Sequence, residues 1–156
     1  MHKTNNGLIK SILSVIILSV IIIAAVIFFV YQKKWVGFIF IILGLIHLLI
    51  LRIFKVEIKM VWPDIAFGVI DNGILAIGVI IGADFAGILG AVIGGSAANA
   101  ITDGFAGIFE GWIAEHSRRR KIKEERTALG SALGKMAGCF FGAGVVFIIA
   151  WTIFSL

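Results

Sequence analysis

The chain opens with two apolar runs, 8–31 and 35–54, parted only by Gln32-Lys33-Lys34. A helix of about 20 apolar residues crosses the hydrocarbon core of a bilayer, and each run is that long without a break. Lipid offers a backbone no hydrogen-bond partners, so such a run must satisfy its own amides as a helix. Three further segments qualify, 61–83, 85–117 and 127–156. The expected fold is therefore all-α, a polytopic membrane protein with five transmembrane helices. Composition agrees: 60% of residues are hydrophobic and 15% charged, against about a quarter charged in an ordinary soluble domain. The first run exceeds the roughly 7–15 residues of a signal-peptide core and no small-x-small cleavage site follows it, so it is read as a retained helix.

Five crossings place the N-terminus and the loops 52–59 and 117–127 on one side. Lys33 and Lys34 alone fall on the other, which leaves twelve of the 14 Lys and Arg together. Basic loops stay in the cytosol, so the N-terminus is expected inside and the C-terminus outside, in an inner or plasma-type membrane. Trp35, Trp62, Trp112 and Trp151 fall near helix ends, where interfacial aromatic belts form. The basic loops set topology first and meet lipid headgroups second; nucleic acid is not an expected partner. Cys139 is the single cysteine, which rules out a disulfide within one chain and a multi-cysteine zinc site.

Composition divides the chain. Residues 1–55 form an N-terminal transmembrane hairpin with two embedded glycines, Gly37 and Gly44, no acid, and His47 as its titratable group at depth. This part reads as scaffold. Residues 56–156 form a three-helix core with a short basic loop at 117–127, and 16 of the 19 glycines lie between Gly68 and Gly144. Gly130, Gly134, Gly138 and Gly142 recur every four residues, a smooth stripe of the kind that lets helix backbones approach in lipid. Gly78/Gly82 and Gly90/Gly94 extend the pattern. The stripes serve packing within one chain or between two, and a homodimer through the Gly-rich helices is expected.

Acids stand out against this background. Asp64, Asp71, Asp103 and Glu110 lie in or at the edges of the third and fourth spans. A carboxylate at the bilayer centre costs roughly 2.5–3.5 kcal/mol on insertion scales, so the default reading is an ion or proton path. Asn99, Asp103 and Glu110 share one helical face, and a turn near Asp84-Phe85 folds the two spans into a hairpin. Asp71 and Asn99 each lie about 14 residues from that turn, hence ~20 Å. The outcome is a row of oxygen ligands, Asp64, Asp71, Asn99, Asp103 and Glu110, suited to a hard or borderline divalent cation, with Asp71 also carrying a counter-moving proton. Duller readings stand beside these. Asp64 follows Pro63 and fits a helix start; Glu110 could pair with an Arg at the interface; Asp84 reads as solvated at the outer turn. Glu115 and His116 fit a solvated face better than a metal site, and Met136 and Cys139 fit core packing better than soft-metal ligation. No Walker A, nucleophile elbow or metalloprotease spacing is present.

The stretch Asp64-Ile65-Ala66-Phe67-Gly68-Val69-Ile70-Asp71-Asn72-Gly73 resembles the first helix of the vacuolar iron transporter family, which opens with an acid and continues Gly-Val-x-Asp-Gly. Gly111-Trp112-Ile113-Ala114-Glu115-His116-Ser117 is similar to the end of that family's second helix, and Thr127-Ala128-Leu129-Gly130 with Gly138 to its third. The resemblance, limited to about residues 62–155, implies a transporter exchanging ferrous iron or manganese for protons, with Asp71 as the metal and proton carboxylate. Ala106 and Gly107 stand where the family has a Ser-Met pair, Asn72 intervenes before Gly73, and the loop after the second helix is short and basic rather than long and acidic. The N-terminal hairpin has no counterpart before the family's first helix.

The sequence thus points to a proton-coupled transporter of a divalent cation, iron- or manganese-like, with no organic cofactor. A small membrane subunit or assembly factor is the alternative, and a membrane-embedded metal-dependent enzyme the third reading.

Overall fold

The computed structural model describes residues 2–29, 33–120 and 127–154, and the regular structure among them is helical throughout. Four helices follow in order, α1 (His2–Phe29), α2 (Lys33–Ile53), α3 (Ile58–Arg120) and α4 (Ala128–Phe147), and a six-residue π-helical segment, Ile148–Ile153, continues α4. The four are long and apolar enough to cross a membrane. Lys121, Lys123 and Arg126 of the basic loop lie outside the described residues.

Helix α3 runs for 63 residues, about three times the length a single bilayer crossing needs, and it is broken in the middle. Ala86 (φ −144°, ψ 27°) and Gly87 (φ 59°, ψ −137°) leave helical geometry. Gly87 takes a left-handed φ, which costs a glycine little. Beyond it the chain doubles back, with Gly82 against Gly90 and Gly78 against Gly94, so α3 is a hairpin of two antiparallel limbs. The turn expected at Asp84-Phe85 falls two residues later, where a glycine is available. The N-terminal limb also begins earlier than Pro63 suggests. It starts at Ile58 and carries Pro63 inside the helix, so Asp64 does not occupy a first turn.

Helix α4 lies at the centre. Its face of Gly134, Gly138 and Gly142 meets Val61, Ile65 and Val69 in turn, a constant offset that makes α4 parallel to the first limb of α3. A Cβ at Gly138 would land on the Ile65 carbonyl oxygen, and one at Gly142 on that of Val69. On its other side α4 receives α2, antiparallel, with Gly37 against Gly144 and Ile148 and Gly44 against Phe141. Thr127 caps α4, its hydroxyl accepting from the Gly130 amide at 3.0 Å. Leu51, Val61, Ile65 and Leu133 close one end of the core. Helix α1 is peripheral, with Leu18 reaching that cluster.

The outward surface is apolar, with Ile, Leu, Val and Phe exposed along α1, α2 and both limbs of α3. Contiguous apolar surface on this scale is the reverse of a soluble monomer's exterior. The helix registers collect the tryptophans at two ends. Thr152 donates to the Lys34 carbonyl at 2.8 Å, bringing Trp151 level with Trp35. Trp62 and Trp112 stand nine residues before Asp71 and ten after Thr102, two residues that bond across the hairpin. They therefore share the opposite end.

The glycine contacts make a discriminating prediction. Gly138→Val forces a side chain into the Ile65 backbone and should lower unfolding stability in detergent by about 2 kcal/mol, as overpacking of a tight core does. Gly104, which has open space around its Cβ position, should accept Ala with unchanged or slightly raised stability. Thermal unfolding of the two variants checks the contrast.

Candidate functional site

Between Lys59 and Arg118 the hairpin holds six acids, Asp64, Asp71, Asp84, Asp103, Glu110 and Glu115, and no Lys or Arg. Lys59 and Arg118 stand twelve and fifteen residues from Asp71 and Asp103, too far along a helix to pair with them, so a counter-charge to either must come from another helix, a bound cation or a proton. The side chains of Glu110 and His116 lie outside the described residues; the other expected ligands fall into three places rather than one row.

Asp71 is buried, 7% exposed, where the two limbs meet beside α4. The Thr102 hydroxyl, itself buried, donates to Asp71 Oδ1. That hydroxyl also lies 3.0 Å from the Asn99 carbonyl and 3.2 Å from that of Ala98. The arrangement serves either protonation state of Asp71. An ionised Asp71 accepts from Thr102; a protonated one donates to the Thr102 oxygen while the hydroxyl turns its own hydrogen to a backbone carbonyl. Next to Asp71, Asn72 donates to the Cys139 carbonyl at 3.4 Å and ties this limb to α4.

Asp103 follows Thr102 in sequence, about 100° further round the same helix, and faces away from Asp71. It is exposed and accepts from Asn99 Nδ2 at 2.8 Å. This pair lies within one limb and lines an open lateral groove of about 710 Å³ between the limbs, whose other walls include Leu75, Val79, Val92 and Ser96. Trp62 and Trp112 each stand nine residues from the nearer of Asp71 and Asp103, about 14 Å along either limb.

Asp64 sits half-buried towards the Trp62 end and accepts from Ser131 of α4 at 3.1 Å. One turn along from each partner, the Lys135 ammonium lies 4.4 Å from the centre of the Phe67 ring, a cation–π contact. Asp84 and Glu115 are exposed, and Met136 and Cys139 are half-buried on α4. His47 is buried against Phe140; its Nδ1 lies 2.8 Å from the Leu43 carbonyl and its Nε2 has no partner among the described residues. Among the described residues no three His, Cys, Asp or Glu side chains gather as a metal site.

Thr102 was not among the residues read from sequence, and the cause is the turn. A turn centred on Asp84-Phe85 puts Asn99 nearly opposite Asp71; centring it on Ala86-Gly87 puts Thr102 there. The signal was Gly87 itself. Ser131 gave no comparable signal, because its role depends on the register between α4 and the first limb. Comparison with protein-family models, curated proteins and solved structures finds no match to this chain.

Removing the hydroxyl tests the buried pair. Thr102→Val should strand the Asp71 carboxyl and lower stability by about 1–3 kcal/mol, the penalty for a buried group that loses its partner. Thr102→Ser should restore most of it, read by chemical unfolding in detergent.

Proposed function

We propose that this protein is a five-span integral membrane transporter, N-terminus in the cytosol, that moves a divalent metal cation across a plasma-type membrane in exchange for protons. The observation that carries the reading is the placement of Asp71 and Asp103 at one level of the α3 hairpin, on different faces of it. With the tryptophans taken as the membrane interfaces, both carboxylates lie near mid-membrane, where an acid without a task is selected against.

The two acids divide the work. Asp71 is closed off and has a hydroxyl partner suited to both its charged and neutral forms, which fits the group that takes up and releases the proton. Asp103, open and bonded to Asn99, fits the group that meets the cation. Carboxylate and amide oxygens are the ligands that hard and borderline divalent ions take, and the resemblance to iron and manganese antiporters favours Fe2+ or Mn2+ as substrate. One chain supplies few ligands at this point, so the substrate keeps part of its water or meets a second copy. Gly104, Gly107 and Gly111 have open space around them on the outer limb, and a small-residue face of this kind suits helix–helix contact in lipid, in support of a homodimer. The same open face would also suit a larger partner, which is what favours the membrane-subunit reading as the alternative.

Proteoliposomes containing the purified chain should accumulate Mn2+ when a pH gradient is imposed. Asp71→Asn should abolish gradient-driven uptake, and Asp103→Asn should reduce it at least tenfold at low Mn2+. Uptake unchanged by Asp71→Asn removes the assignment, and absence of uptake by the wild-type chain favours the subunit.

A further inference from the structure

The lateral groove between the limbs of α3 has a shape that inorganic ion transport does not require. Asn99, Asp103 and Ser96 give it a polar end, while Leu75, Val79 and Val92 give it apolar walls. From Ala91 to Asp103, both of which line it, the helix advances about 18 Å. Gly95 belongs to the floor, and a Cβ there would meet Val79 Cγ2 at 2.7 Å. A volume of about 710 Å³ falls within the roughly 300–1,000 Å³ of small-molecule sites, which are apolar with a few placed polar groups. A hydrated metal ion fills little of such a space and gains nothing from its walls.

We infer that this groove is a binding site for an amphipathic organic cation, with the charged head against Asp103 and the apolar body lying along Leu75, Val79 and Val92. Charge selects the class. The hairpin supplies no Lys or Arg between Lys59 and Arg118, so the stretch of both limbs that lines the groove is without a basic residue, and Asp103, whose Oδ2 accepts from the Asn99 amide, is the one acid in that lining. A neutral lipid tail would match the walls and leave the charge unanswered. A cation with an apolar body answers both, and it can enter sideways because the groove opens on the apolar exterior of the hairpin. The inference rests on the reading of Asp103 as the group that meets cations, and it adds a second substrate class to that site.

The test uses the full chain in phosphatidylcholine nanodiscs and radiolabelled tetraphenylphosphonium, a permanently charged apolar cation. Saturable binding is expected, at least tenfold weaker in Asp103→Asn and unchanged in Asp84→Asn at the hairpin tip. Ala100→Trp, which fills the groove from an exposed position on its wall, should weaken binding similarly and guards against misfolding of the first variant. Dodecylammonium should displace the probe and dodecanol should not. Absence of saturable binding, insensitivity to both groove variants, or equal displacement by dodecanol overturns the proposal. So does efficient disulfide pairing of Val92→Cys between chains, which would put a second copy in the groove. Manganese uptake without probe binding overturns the groove proposal alone; probe binding without manganese uptake upholds it and retires the metal reading.

Discussion

The contact on which the rest of this structure depends is the seating of α4 on the first limb of α3, backbone against backbone. The carbonyls of Ile65 and Val69 occupy the space a side chain would need at Gly138 and Gly142. In lipid, apolar side chains gain little by leaving one another's company for the solvent, so close approach and dispersion must hold helices together. Glycine supplies the approach at a cost in helix propensity of about 1 kcal/mol each. The same device recurs in the hairpin, where Gly78, Gly82, Gly90 and Gly94 bring the limbs together. Close limbs in turn bring Thr102 within reach of Asp71.

The enclosure of Asp71 is therefore a product of the packing. Asp71 could not be held dry and bonded if the limbs stood a normal side chain apart. Asp103, one residue beyond Thr102, escapes the interface because a helix turns through about 100° per residue. Two carboxylates at one level thus acquire different surroundings: one enclosed by helices, one open at the side. Different surroundings are how identical groups come to do different chemistry.

Much of this was legible in the sequence, and the reasons divide cleanly. Helical class, long apolar helices and the four-residue glycine stripe on α4 follow from periodicity and from the needs of a backbone in lipid, and the structure has all three. The pairing of Asp71 with Thr102 was not legible, because a hairpin turn misplaced by two residues shifts every partner across it. The early start of α3 was hidden by Pro63, which reads as a helix opening and here lies inside the helix. Bonds between α4 and the first limb, such as Ser131 to Asp64, need a helix–helix register that no single segment encodes. Of the oxygen row expected across the two spans, Asp64, Asp71 and the Asn99–Asp103 pair stand apart because Asp64 and Asp71 each find a hydroxyl on another helix or limb.

The two carboxylate bonds differ in one respect that bears on motion. Asn99 and Asp103 belong to the same turn of one limb and travel together, whereas the bond from Thr102 to Asp71 bridges the limbs. If the limbs slide or part, the first bond is carried along intact and the second must break. The hairpin therefore carries one polar contact that registers the relative position of its limbs and another that is blind to it.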